Sequence, residues 1–126
     1  MGDYIMSTIK ANDIQNASGG IPTVKGQRLI PTAWVNFNGE GTVAIRDSEN
    51  VSSLIDHGAG DYSVNLAVAM ANNDYAIGMT TSHNGVRQFI LGGYETVSSF
   101  RIRSQNGSGS QIDTPFVYCT VMGGQS

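Results

Sequence analysis

The sequence predicts an all-β protein, an antiparallel β-sandwich of jelly-roll type with about eight short strands and an extended N-terminal arm. Three observations predict this class. Between Thr32 and Val121, short alternating segments recur about every ten residues with turn residues between them, and no segment shows helical periodicity. Sixteen glycines against three prolines favour frequent tight turns. A chain of 126 residues has room for one hydrophobic core.

Residues 1–31 differ from the rest of the chain and are predicted to form an extended anchoring arm with at most one short strand or helical turn. The stretch 6–20 shows neither a period of two nor one of 3.6, and Gly19-Gly20, Pro22 and Pro31 interrupt any regular element. A polar arm gains little by packing on its own domain. We therefore expect it to lie on a neighbouring subunit or on a larger particle.

Residues 32–122 are predicted to form the sandwich, and residues 123–126 a flexible tail. The glycine-bearing loop 38–41 predicts a first hairpin, and the loop 57–60 predicts a second. The turn cluster 72–74 precedes the fifth strand. The expected strands are residues 32–37, 42–46, 51–56, 61–68, 75–81, 86–91, 96–103 and 116–121.

Alternation along the strands assigns side chains to the core or to the surface. Phe100 and Ile102 are expected to point inward, while Arg101 and Arg103 share the opposite, solvated face. The last strand, residues 116–121, is apolar on both faces. It is therefore expected either in the centre of a sheet or against another subunit.

The aromatic residues follow the same logic. Tyr62 and Tyr75 are in phase with apolar neighbours and are expected in the core. Tyr94 follows Gly92-Gly93 in a predicted turn, so we expect its ring to be exposed. Tyr94 is the candidate residue for contact with a ligand such as a sugar ring.

Composition excludes several classes of function. Only 13% of the residues are charged, against about 25% in an average protein, and the net charge is −3 with the basic residues scattered. Binding of nucleic acid needs a basic stripe, so we expect no nucleic-acid partner. No apolar run reaches the roughly 20 residues that span a bilayer, and the N-terminal residues lack a signal-peptide pattern. We expect neither membrane insertion nor export by a signal peptide.

The residues that carry chemistry are few, and no catalytic, metal-binding or cofactor-binding set is predicted. His57 and His83 fall in predicted turns, and Cys119 lies in an apolar strand where burial should raise the pKa of its thiol. The acidic stretches 47–50 and 56–61 lack the spacing of a calcium loop, and turn formation explains them. We therefore expect a protein that is not an enzyme and that needs no cofactor.

Four stretches of the chain resemble a known class of protein. They are the run from Ala33-Trp-Val-Asn-Phe-Asn to Asn50-Val-Ser-Ser-Leu-Ile-Asp56, together with residues 60–70, 73–77 and 6–16. About half of the chain is involved. These stretches resemble a module of tail-fibre and other virion proteins of tailed bacteriophages, most closely those of cyanobacterial and marine bacterial hosts.

The resemblance implies a homotrimeric, β-rich module that is mounted on the virion through its N-terminal region, with no shared catalytic residues. The chain holds a single module without shaft repeats. We expect a non-enzymatic virion structural protein of tail-fibre type, assembled in the bacterial cytoplasm, that binds other virion proteins of the tail or capsid and contacts the host surface. The alternatives are a capsid decoration protein that stabilises the head and a module that binds host glycans.

Overall fold

A computed structural model describes residues 7–20, 22–23 and 29–125. The chain divides into two compact units, Met1–Ile30 and Pro31–Ser126. In the described part of the first unit there is no helix and no strand. A turn at its centre is closed by Asn16, whose Oδ1 accepts hydrogen bonds from the backbone N–H groups of Ser18 and Gly20. The remaining arm residues, 1–6, 21 and 24–28, lie outside the described residues.

The second unit is a β-sandwich, as the sequence predicted. Its described residues form eight strands in two four-stranded antiparallel sheets. The first sheet has the order β2-β1-β8-β5 and the second has the order β3-β4-β7-β6. Both predicted hairpins are present, because β1 pairs with β2 and β3 pairs with β4. The strands are β1 (Ala33–Asn38), β2 (Ala44–Glu49), β3 (Val51–Gly58), β4 (Asp61–Leu66), β5 (Tyr75–Thr80), β6 (Gln88–Leu91), β7 (Ser99–Gln105) and β8 (Val117–Gly123).

The core lies between the inner faces of the two sheets. The period of two in β1, β4, β7 and β8 turns alternate side chains inward, and those side chains are buried. The rings of Phe37 and Tyr62 meet edge to face across the sandwich, with centroids 5.3 Å apart. Phe100 packs in the same way against Tyr75. The buried apolar residues are Ala33, Val35, Phe37, Tyr62, Val64, Leu66, Met70, Phe100, Ile102, Val117, Cys119 and Val121.

The strand β8 is central in its sheet, between β1 and β5. Its inward residues Val117, Cys119 and Val121 are buried, whereas Tyr118 on the outer face is half-buried and Thr120 is exposed. This confirms one of the two positions that its apolar sequence allowed. A role of its outer face in subunit contact stays a prediction.

Two predicted loop boundaries are wrong. The acidic stretch 47–50 was expected to be a loop, but β2 extends to Glu49 and only Asn50 separates it from β3. His57, expected in the loop 57–60, lies within β3, which continues to Gly58. Asp56 nevertheless has the turn role that its residue type suggested, since its Oδ1 accepts a hydrogen bond from the backbone N–H of Gly58.

Within the predicted tail, residues 123–126, the first two residues have backbone partners in the sandwich. Gly123 ends β8, and its carbonyl oxygen accepts a hydrogen bond from the Thr32 hydroxyl at 2.7 Å. Gly124 is buried, and its carbonyl oxygen accepts a hydrogen bond from the backbone N–H of Ala71. The backbone of this segment is therefore tied down by partners that are distant in sequence. Ser126 lies outside the described residues.

Candidate binding surface on the second sheet

The outer face of the second sheet carries a cluster of charged and polar side chains. Asp61 and Ser63 point outward from β4, because the residues between and after them fill the core. In the pairing of β4 with β7, Asp61 lies opposite Arg103 and Ser63 lies opposite Arg101. We call the group Asp61, Ser63, Tyr94, Arg101 and Arg103 the arginine patch.

A bidentate ion pair forms the centre of the arginine patch. The Nε and Nη2 atoms of Arg101 donate hydrogen bonds to the two carboxylate oxygens of Asp61, each at 2.8 Å. Asp61 is only 8% exposed, so this pair is partly shielded from water. The hydrogen bond from Arg101 is the main cause that lowers the pKa of the Asp61 carboxyl below its ordinary value, with smaller contributions from the charges of Arg103 and His57.

The lowered pKa gives a testable dependence of stability on pH. Because folding favours the charged carboxylate, Asp61 stabilises the protein fully above its ordinary pKa of 3.8, and this is lost as the pH falls through the lower native value. We expect Asp61→Asn to reduce the free energy of unfolding at pH 7 by about 1–2 kcal/mol, after allowance for partial exposure of the pair. The difference from wild type should shrink below the ordinary pKa, as measured by urea unfolding across pH. Glu40→Gln, in an exposed loop, is the control. A difference that does not vary with pH would contradict the assignment.

Arg103 stands beside this pair without completing a hydrogen bond. Its Nε lies 3.7 Å from the Asp61 Oδ2, too far for a good hydrogen bond. The Nε atom is buried and has no hydrogen-bond partner among the described residues, while the Arg103 side chain as a whole is 31% exposed. Two arginines and one carboxylate leave the patch with a formal charge of +1. The outer end of the Arg103 guanidinium, beyond the buried Nε, is therefore the part that a further anion could reach.

Tyr94 covers one side of the patch. Gly92 directly follows β6 and donates its backbone N–H to the Arg101 carbonyl at 2.7 Å, and a Cβ at Gly92 would lie 3.2 Å from the Arg101 side chain. Gly93 then takes a positive φ of 74°, which reverses the chain. The Tyr94 ring consequently lies beside the Arg101 guanidinium, whose Cζ is 5.5 Å from the ring centroid. At 59% exposure, Tyr94 is the most exposed of the described aromatic residues, as expected. Its contact with a ligand stays a prediction.

The other chemistry-bearing residues are not brought together in one place. The His57 Nε2 lies 2.8 Å from the Ser63 hydroxyl at the rim of the patch, while His83 lies in the loop before β6 and contacts the Gly85 backbone. Burial raises the pKa of the Cys119 thiol to about 12, as its position in the apolar strand predicted. The residues that the structure describes contain no group of three or more metal-ligating side chains.

The buried hydroxyl of Tyr62 is one of the groups that the acidic residue Asp113 contacts. It donates to the Gly39 carbonyl at 2.7 Å and lies 3.3 Å from the Asp113 Oδ1, and Asp113 also accepts the backbone N–H of Gly60. Desolvation of the hydroxyl is the main cause that raises the pKa of Tyr62. Asp113 is thus engaged in holding two loops of the sandwich.

Comparisons with known proteins identify no relative of this chain. No protein-family model, no curated protein and no solved structure matches this sequence or fold. In the described part of the chain, no helix is long and apolar enough to cross a membrane.

The sequence did not predict the arginine patch as a unit. Alternation showed Arg101 and Arg103 on a common face, but no local pattern links either of them to Asp61.

Proposed function

We propose that the protein is a non-enzymatic structural protein of a tailed-phage virion, with the β-sandwich exposed and the N-terminal unit attached to the particle. The main support is the state of the N-terminal unit. Ile9 is 82% exposed and Ile14 is 60% exposed, in a segment that has no helix or strand in its described residues. Apolar side chains left in water gain about 1.5–3 kcal/mol each when a partner buries them. The segment therefore has the features of an arm that is completed by another protein.

The proposed assembly is a homotrimer, and two observations support subunit contact. The outer face of the first sheet carries the half-buried Trp34 and Tyr118, and on β5 of the same sheet Ala76 and Gly78 add little side-chain bulk. Aromatic side chains suit close packing of a second subunit. The exposed Asp47 and Glu49, opposite Asn36 and Trp34 on the edge strand β2, place charge at the rim of this surface. The resemblance to homotrimeric fibre modules supports three copies.

The experiment compares attachment of full-length variants to purified virions. Particles lacking the protein are complemented with wild type, with the double variant Ile9→Asp/Ile14→Asp, or with Val86→Asp as a control in the sandwich. Val86 is 64% exposed, so its exposure matches that of Ile14. Because both isoleucines are already in water in the free chain, folding should be unaffected. We expect the double variant to reduce the copies per particle at least roughly tenfold and the control to keep them.

Localisation by cryo-electron microscopy of the same particles separates the candidate roles. Density with three-fold symmetry on the tail or its fibres would support the tail-fibre role. Density on the capsid lattice would support the alternative of a decoration protein. Absence of the wild-type protein from purified particles would overturn the virion role, and full occupancy by the double variant would overturn attachment through the arm.

A further inference from the structure

We propose that the arginine patch binds the carboxylate of an acidic saccharide, such as a uronic acid unit, through Arg103, with the sugar ring against Tyr94. This deepens the proposed role, and it rests on that role only for the biological source of the saccharide. The binding itself is a property of the isolated chain.

The net charge of the arginine patch indicates which class of anion it would bind. Arg101 uses two N–H groups on Asp61 and is neutralised by it. Arg103 lies 3.7 Å from the same carboxylate, without a hydrogen bond to it. Its guanidinium is thus oriented by charge but keeps its outer N–H donors for a ligand. An arginine fork matches a planar carboxylate with two parallel hydrogen bonds. One unmatched positive charge suits a monoanion better than a phosphate dianion.

The surroundings of Arg103 favour a saccharide over other carboxylates. The residues Arg101 and Arg103 are two positions apart on β7, so their Cα atoms lie about 7 Å apart. The Tyr94 ring lies beside the Arg101 guanidinium, and Arg103 Nε lies 3.7 Å from the same Asp61 carboxylate that Arg101 binds, so the ring and both arginines belong to one cluster. The exposed face of the ring offers an apolar surface for the C–H groups of a sugar, as aromatic residues do in carbohydrate sites. The hydroxyl of Ser63, opposite Arg101, is bonded to His57 Nε2 but still has a lone pair that can accept a hydrogen bond from a sugar hydroxyl.

A second arginine–aromatic pair in the same protein lacks these properties and serves as the internal comparison. The Arg46 guanidinium lies 4.3 Å from the centroid of the exposed Phe116 ring. Its Nη2 donates to the Pro115 carbonyl at 2.7 Å, and its Nη1 approaches the Asn36 side chain at 3.4 Å. Arg46 is therefore committed to the protein, whereas Arg103 is not.

The test is an NMR titration of the full-length, isotopically labelled chain with sodium D-glucuronate. D-glucose is the neutral counterpart, and sodium acetate and inorganic phosphate test the anion alone. We expect shifts confined to the arginine patch and its neighbours, with a dissociation constant of roughly 1–10 mM that weakens as salt is added. Glucose should cause no shifts there, and acetate and phosphate should bind more weakly than glucuronate.

Variants decide whether the named residues carry the binding. Arg103→Gln and Tyr94→Ala should each weaken glucuronate at least tenfold, and Arg103→Lys should recover only part of the loss because it lacks the fork. The controls Arg46→Gln and Phe116→Ala should bind as wild type. Dispersed amide spectra verify that each variant is folded.

Three results would overturn the inference. They are the absence of shifts with glucuronate, equal binding by Arg103→Gln, and phosphate binding as tight as glucuronate and independent of Tyr94. The last result would define a general anion site. None of these results depends on where the protein lies on a virion, so the ligand and the proposed role can fail separately.

Discussion

Gly60→Ala is expected to lower the free energy of unfolding by at least about 3 kcal/mol. Gly60 has a φ of 61°, in the left-handed region. A Cβ there would collide with the Ser104 carbonyl oxygen and lie 2.6 Å from the Ile112 carbonyl oxygen. Both obstacles are backbone atoms. They cannot move aside without displacing the segments to which they belong.

Those segments are held together by hydrogen bonds that the displacement would break. The Gly60 carbonyl accepts the Ser104 N–H at 2.8 Å, and the Ser104 carbonyl accepts the Ile112 N–H at 3.0 Å. The Gly60 N–H donates to the Asp113 Oδ1 at 2.8 Å. The cost of the methyl group therefore includes lost hydrogen bonds at a buried position as well as the left-handed backbone.

Gly41→Ala isolates the backbone component. Gly41 has a φ of 58°, almost the same as Gly60, but no atom lies within 4 Å of the position of its Cβ. Gly41→Ala should lower the free energy of unfolding by only about 1 kcal/mol, the penalty for a residue with a Cβ in the left-handed region. Urea unfolding followed by circular dichroism measures both variants. Equal losses at the two sites would mean that close packing around Gly60 is not what requires glycine there.

The core positions follow from the sequence because they depend on a local property. Alternation in β4 and β7 assigned Tyr62, Phe100 and Ile102 to the inside, and all three are buried. A period of two is set by the pleat of each strand, whatever its partner. The class of fold and the inward faces are therefore predictable from short windows of sequence.

The arginine patch is not predictable in this way because it depends on which strands are neighbours. Asp61 and Arg101 are 40 residues apart and meet because β7 pairs with β4, while the intervening β5 joins the other sheet. Alternation gives the face of each residue but carries no information on sheet order. The contact of Tyr94 with Arg101 adds a further requirement, the chain reversal at Gly93.

The boundary of β2 was wrong for a related reason. The polar stretch from Asp47 to Asn50 has the composition of a loop, yet its first three residues pair with β1, beyond an irregularity between Asn36 and Phe37. Partner strands decided the structure of residues whose own propensity favours a turn. Only Asn50 adopts the conformation that its residue type favours.

Asn50→Ala is expected to reduce the free energy of unfolding by about 3 kcal/mol, because this residue carries the chain from one sheet to the other. Asn50 alone connects β2 to β3 and has a φ of 56°, the only positive value among the described residues other than glycine. Its Oδ1 accepts the Val68 N–H at 2.8 Å, and its Nδ2 donates to the carbonyl oxygens of Thr32 and Val68 at 3.2 and 3.3 Å. Alanine would lose these bonds and keep the strained backbone.

Asn50→Gly separates the two contributions, since glycine relieves the left-handed penalty but removes the same side-chain hydrogen bonds. We expect a loss of about 2 kcal/mol for glycine, so that alanine is worse by the left-handed penalty of about 1 kcal/mol. Urea unfolding of both variants provides the comparison, with Asn38→Ala, a loop-closing asparagine, as the control. If alanine and glycine proved equally destabilising, the positive φ would contribute nothing, and the hydrogen bonds to Thr32 and Val68 alone would hold the corner. If Asn50→Gly had the same free energy of unfolding as wild type, the side-chain hydrogen bonds of Asn50 would contribute nothing, and only the left-handed backbone conformation would be required at this position.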